Sequence, residues 1–151
     1  MKRPVRTKEE VQMRRTAWVW ILLSAVALGT SSPNPTEAQD AFTRKSVQGP
    51  VTVTVTLAGA LAPDRPIRVK VVLDTHSVAL DEIALDAVVA LRQPGGDVRP
   101  TAIEQAQGGG HHRQAVLVFP SQPLGDRLEV VVKNVGGVPE RTFRWELPVT
   151  P

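Results

Sequence analysis

The chain has 151 residues, with 18 Lys/Arg, 15 Asp/Glu, three His and no Cys, for a formal net charge of +3. The missing thiols exclude disulfides, zinc–thiolate and iron–sulfur sites, thiolate-bound haem and type 1 copper. Six of the Lys/Arg (Lys2, Arg3, Arg6, Lys8, Arg14, Arg15) and three of the Asp/Glu (Glu9, Glu10, Glu37) precede residue 39, so the rest of the chain, with 12 of each, is neutral and makes no electrostatic case for nucleic acid.

The basic residues lead into an apolar run, Ala17 to Gly29. At ~1.5 Å per residue this run covers about 20 Å as a helix, less than a bilayer requires. Residues 1–38 therefore read as a leader: a signal peptide, or alternatively an inner-membrane anchor held by residues 17–29. Thr36 and Ala38 offer a small-residue cleavage site before Gln39, and Met13 followed by Arg14 and Arg15 offers a second start. The expected location is the periplasm or the exterior, with membrane contact only through the leader. No cysteine is present to carry a lipid anchor.

Residues 39–49 read as a polar linker, and a β-domain is expected over 50–151. Val51, Val53, Val55 and Leu57 alternate with Thr52, Thr54 and Thr56, the period of a half-buried strand. Gly59, Pro63 and Asp64 turn the chain. Ile67, Val69, Val71 and Leu73 form a second inward face, with Arg68, Lys70, Val72 and Asp74 outward and His76 next in that outward series. Leu80 to Leu85 is a turn of helix or a brief strand, and Leu85 to Arg92 a strand. Pro94-Gly95-Gly96-Asp97 is a turn signal. Val98 to Gln105 is a short edge strand, and Ala115 to Phe119, apolar on both faces, is a covered strand. Leu128, Val130 and Val132 alternate with Glu129, Val131 and Lys133; Asn134 to Gly137 is a turn. The last strand places Phe143, Trp145 and Leu147 inward.

About seven short strands, with the turn spacing of a sandwich and no amphipathic helix, give an all-β fold class. The expectation is an antiparallel immunoglobulin-like β-sandwich preceded by a hydrophobic leader helix. Phe119, Phe143 and Trp145 are the expected large core residues.

Three stretches carry a resemblance: Leu73-Asp74-Thr75-His76-Ser77-Val78-Ala79-Leu80-Asp81, Gly109-Gly110-His111-His112-Arg113 with Val116-Leu117-Val118-Phe119-Pro120, and Gly137-Val138-Pro139-Glu140-Arg141-Thr142-Phe143-Arg144-Trp145. Over residues 50–147 the chain resembles a small uncharacterised group of exported bacterial β-domains. The resemblance implies a single domain and an exported location, and brings no activity with it.

All three histidines fall in two polar segments that border strands, His76 in one and His111 and His112 in the other. Imidazole with a carboxylate, Asp74 first and Asp81 or Glu82 next, suits zinc or copper. The leading reading is thus a non-enzymatic binding module holding a divalent metal through His76, Asp74 and one of His111 or His112. Adjacent histidines point to opposite faces of a regular strand, which weakens the pair as a chelate. The alternative is a periplasmic interaction or assembly domain, with an unknown protein partner, in which the histidines only brace loops. On that reading His76→Ala lowers the melting temperature without metal. Arg113 and Arg141, with Arg144, could present guanidinium donors to an anion, or pair with Glu129, Glu146 or Asp86. Asp74, His76 and Ser77 supply the residue types of a hydrolase triad, but they lie within four positions of one another, Ser77 alternates away from His76 on a strand, and no Gly-x-Ser-x-Gly elbow exists, so no enzyme is expected.

Overall fold

The structure is a computed structural model that describes residues 41–147; the leader, its cleavage site and the last four residues lie outside the described part. In chain order the elements are β1 (Thr43–Gln48), β2 (Val51–Ala58), β3 (Ile67–Thr75), α1 (Leu85–Val88), β4 (Val89–Gln93), β5 (Gly96–Val98), β6 (Ala102–Gly109), β7 (His112–Phe119), β8 (Arg127–Val135) and β9 (Val138–Glu146). They form two sheets, β1-β2-β3-β7-β6 and β5-β4-β8-β9, in which every pairing is antiparallel. No helix among the described residues is long and apolar enough to cross a membrane.

One buried cluster joins the inner faces of both sheets. Val51, Val53 and Val55 of β2 are fully buried, as are Val69, Val71 and Leu73 of β3. Across from them stand Leu91 of β4, Leu128, Val130 and Val132 of β8, and Phe143 and Trp145 of β9. Removing a Val- or Leu-sized side chain from water contributes about 1.5–3 kcal/mol, so this double layer of branched side chains is the main source of stability. Phe119, Phe143 and Trp145 are buried as their alternation predicts.

Three elements depart from the sequence reading. The linker assigned to 39–49 contains β1, whose side chains are half-buried or exposed. β1 has no core face to betray it; it forms because the free edge of β2 accepts it, with Thr43 and Thr56 hydroxyls joined at 3.0 Å. Leu85 to Val88 is one helical turn rather than the start of a strand, with the Ala87 and Val88 amides both donating to Ala84 O. The turn carries the chain from β3 in one sheet to β4 in the other, a change of direction that extended backbone does not provide. Finally, the strand expected over 98–105 is two strands in different sheets, β5 and β6, with the crossing at Pro100. The strand count is therefore nine instead of seven among the described residues.

Candidate functional site

β3 and β7 are neighbours, and their register puts Asp74 opposite His112 at one end of the ladder. The ladder runs one step further, where the Thr75 amide donates to His111 O at 3.0 Å. Two segments 34 positions apart in sequence are thereby joined: the crossover after β3 and the turn between β6 and β7.

Six contacts fasten the crossover to that turn. Asp74 Oδ1 lies 2.5 Å from His112 Nδ1. His111 Nδ1 lies 3.2 Å from Val78 O. Asp81 Oδ1 accepts the Gly110 amide at 2.8 Å, and Gly110 O accepts the Leu80 amide at 2.8 Å. Arg113 Nη1 donates to Leu80 O at 2.8 Å and to Asp81 O at 2.6 Å. At the crossover's start, Thr75 Oγ1 donates to Pro50 O at 2.7 Å and accepts the Ser77 amide at 3.2 Å. The glycines are needed here: Gly110 sits at φ +61, and a Cβ on Gly109 would come within 2.7 Å of Asp81 Oδ1. A Cβ on Gly108, at φ +83, would collide with His112 O.

The metal-ligand candidates do not converge as one group. His112 and Asp74 meet, with side chains 55% and 49% exposed. His111 instead reaches the backbone four residues beyond Asp74. His76 is exposed, and its side chain makes no hydrogen bond or ion pair among the described residues. Among the described residues no three His, Asp or Glu side chains are grouped to hold an ion. Both engaged rings use Nδ1, which leaves each Nε2 for a further partner. The loop contacts are made by His111 and His112 and not by His76, because it is their turn, not the His76 segment, that reaches across.

The arginine patch is corrected more sharply. Arg141 shares the inward face of β9 with Phe143 and Trp145 and is 2% exposed, so it has no donor to present to an anion in solvent. Nη1 donates to Val135 O at 2.8 Å, and Nη2 to Gln48 O at 2.6 Å and Val51 O at 3.2 Å. Nε is buried without a partner. Burial holds this guanidinium below the usual arginine range. Arg141 thus ties the β1–β2 turn of one sheet to the β8–β9 turn of the other. Arg113 is a loop clamp, and Arg144 pairs with Glu129 at 2.9 Å.

A charged network that residue types alone do not reveal lies across the outer face of the four-stranded sheet. Arg92 of β4 makes a two-pronged contact with Glu140 of β9, at 2.7 and 2.8 Å, and reaches Asp97 of β5 at 3.2 Å. Lys133 of β8 reaches Asp97 at 2.5 Å. Lys133 and Arg92 hold the Asp97 carboxyl below its ordinary range, and Arg92 does the same for Glu140. Outward alternation on all four strands was the available signal, but the partners depend on registers that periodicity does not reveal.

Comparison of the chain with protein-family models, with curated proteins and with solved structures finds no match.

Proposed function

We propose that the chain is an exported, non-enzymatic interaction module of immunoglobulin-like outline, in which Asp74, His111 and His112 brace the crossover between the two sheets. The strand order supports the outline. With β1 set aside, β2-β3-β7-β6 and β5-β4-β8-β9 follow the A-B-E-D and C′-C-F-G orders of an immunoglobulin sandwich. The short apolar run behind a basic start supports export. The observation that carries the bracing role is the set of contacts from His111, His112, Gly110 and Arg113 to the segment 74–81.

A second reading, a zinc or copper site, is favoured by one observation. Each of His111 and His112 has Nδ1 on an acceptor, a carbonyl and a carboxylate respectively. Such second partners orient metal-bound imidazoles and leave Nε2 as the ligand atom. His76 would complete that set, with Asp74 as the outer partner that orients His112.

Thermal melting separates the two. Bracing predicts that His112→Ala lowers the melting temperature in EDTA and that Zn²⁺ and Cu²⁺ leave the native protein unchanged. A metal-dependent rise in melting temperature, lost in the His76→Ala, His111→Ala, His112→Ala triple variant, would replace bracing with the metal site.

A further inference from the structure

β2 runs between two ends of the sandwich. Val51, its first residue, pairs with Thr75 at the braced crossover. Leu57, near its other end, lines a pocket whose walls come from the start of β1, the loops after β2 and β7, and the end of β9. The pocket has a volume of about 860 Å³, within the range of small-molecule sites. Its walls are mainly apolar: Phe42, Leu57, Leu61, Leu124, Trp145 and Leu147. Leu57 and Trp145 belong to the buried core, while Leu61, Leu124 and Leu147 pack against it partly buried. The loops leave room, since a Cβ on Gly59 or Gly125 would meet nothing within 4 Å.

Charge gives the lining no sign, because Arg44 and Arg144 are offset by Asp126 and Glu146. Both cations are already engaged. Arg144 pairs with Glu129, and Arg44 donates to the Ala41, Thr43 and Arg144 carbonyls and lies over the Trp145 ring. One polar group is left over. Trp145 is 3% exposed, and its Nε1 is buried without a hydrogen-bond partner among the described residues. A buried indole N–H ordinarily has an acceptor, since leaving water without one is costly.

We infer that this pocket binds a small, neutral, largely apolar molecule carrying a hydrogen-bond acceptor, to which Trp145 Nε1 donates. The apolar walls supply the affinity, and the single indole donor fixes the orientation. Balanced and engaged charges offer nothing to an ionic ligand. Nε1 is shielded from water, so the acceptor reaches it as the half-buried Leu61 and Leu124 of the two loops give way. The site lies at the opposite end of β2 from Asp74 and His112, so it goes beyond the bracing and metal readings and stands or falls without them.

The test titrates the full chain into 6-propionyl-2-dimethylaminonaphthalene, a neutral aromatic ketone whose emission shifts to the blue on leaving water. At ordinary ligand efficiency its about 17 non-hydrogen atoms give a Kd near or below roughly 0.2 mM. The emission should shift, and the Trp145 indole N–H signal, assigned by its loss in Trp145→Phe, should move. The double variant Leu61→Glu, Leu124→Glu sets carboxylates in the apolar wall and should weaken binding at least about tenfold. Trp145→Phe keeps an aromatic ring and removes the donor. There the affinity of the ketone relative to its 6-propyl analogue, which lacks the carbonyl, should fall about three- to tenfold, the range of one hydrogen bond. Thermal melts show that each variant folds, and either variant alone decides. No emission shift at about 1 mM protein would overturn the assignment. Undiminished binding by the double variant would overturn it by placing the probe elsewhere, and so would an unchanged ketone-to-propyl ratio in Trp145→Phe. Tighter binding of the 6-carboxylate analogue than of the ketone would overturn the neutral class. Self-association of the native chain that the double variant abolishes would give the pocket to a second copy instead.

Discussion

Asp74 and His112 face each other across β3 and β7, with a carboxylate oxygen 2.5 Å from a ring nitrogen, at the point where one sheet hands the chain to the other. The pair is about half exposed, so its own worth is that of a surface ion pair or less, ~1 kcal/mol. Its role is positional. It sets the register of the last β3–β7 step, and the contacts of His111, Gly110 and Arg113 follow from that register. Asp74→Asn and His112→Ala should each lower the melting temperature by about 4–8 °C in EDTA, the shift that ~1 kcal/mol produces in a domain of this size. His76→Ala should leave it unchanged, because that ring makes no polar contact among the described residues. Differential scanning calorimetry of the three variants checks both halves; a fall with His76→Ala alone would return the brace to His76.

Arg141 should be the most sensitive polar position in the domain. Three carbonyls from two turns converge on its guanidinium, and it is almost fully buried. Arg141→Ala leaves these acceptors without their charged donor and a cavity beside Val51 and Val135; the cost should reach about 3 kcal/mol or more. Arg141→Lys should recover only part of it, since an ammonium lacks the planar fork that spans separate acceptors. Urea unfolding of the two variants gives the comparison, and full recovery by lysine would show that charge alone matters there.

Arg141 also shows where reading from residues succeeds and where it stops. Period two places it on the inward face with Phe143 and Trp145, yet an arginine argues for the surface; only the carbonyls of two turns explain its burial, and turns are not encoded in periodicity. β2, β3, β7 and β8 are legible because a buried face leaves an alternating or continuous apolar trace. β1 leaves none, since edge pairing asks only for backbone. The histidine segments are recognisable as polar strand ends, but whether they meet depends on β3 lying beside β7, a long-range relation. Residue type suggested His76 as the central group; register instead selected His112.

The network on the four-stranded sheet gives a pH dependence with a definite sign. Asp97 and Glu140 ionise more readily in the folded protein than in the unfolded chain, because Lys133 and Arg92 favour their charged forms. Their contribution is therefore complete above the unfolded carboxylate range, about pH 4–4.5, and is lost as pH falls through the lower folded values. Melting temperature should fall on acidification below about pH 4.5, and less steeply in Asp97→Asn, which lacks one of the two carboxylates. A variant curve parallel to that of the native protein from neutral pH to about pH 2 would remove the network as a source of acid sensitivity. Added salt should weaken the effect, because both carboxylates remain partly exposed.

Gly109→Ala tests the turn without replacing any titratable residue. The new methyl would stand 2.7 Å from Asp81 Oδ1, which must move and release the Gly110 amide. Arg113 still holds the Leu80 and Asp81 carbonyls, so the crossover should loosen rather than detach. The expected cost is about 1 kcal/mol, that of one exposed hydrogen bond to a charged acceptor with partial relaxation. The Gly110 amide should lose hydrogen-exchange protection while the Thr75 amide, bonded to His111 O one step further along, keeps its own. If both amides lose protection together, the turn and the end of the β3–β7 ladder open as one unit, and Asp81 rather than Arg113 is the clamp that holds the crossover closed.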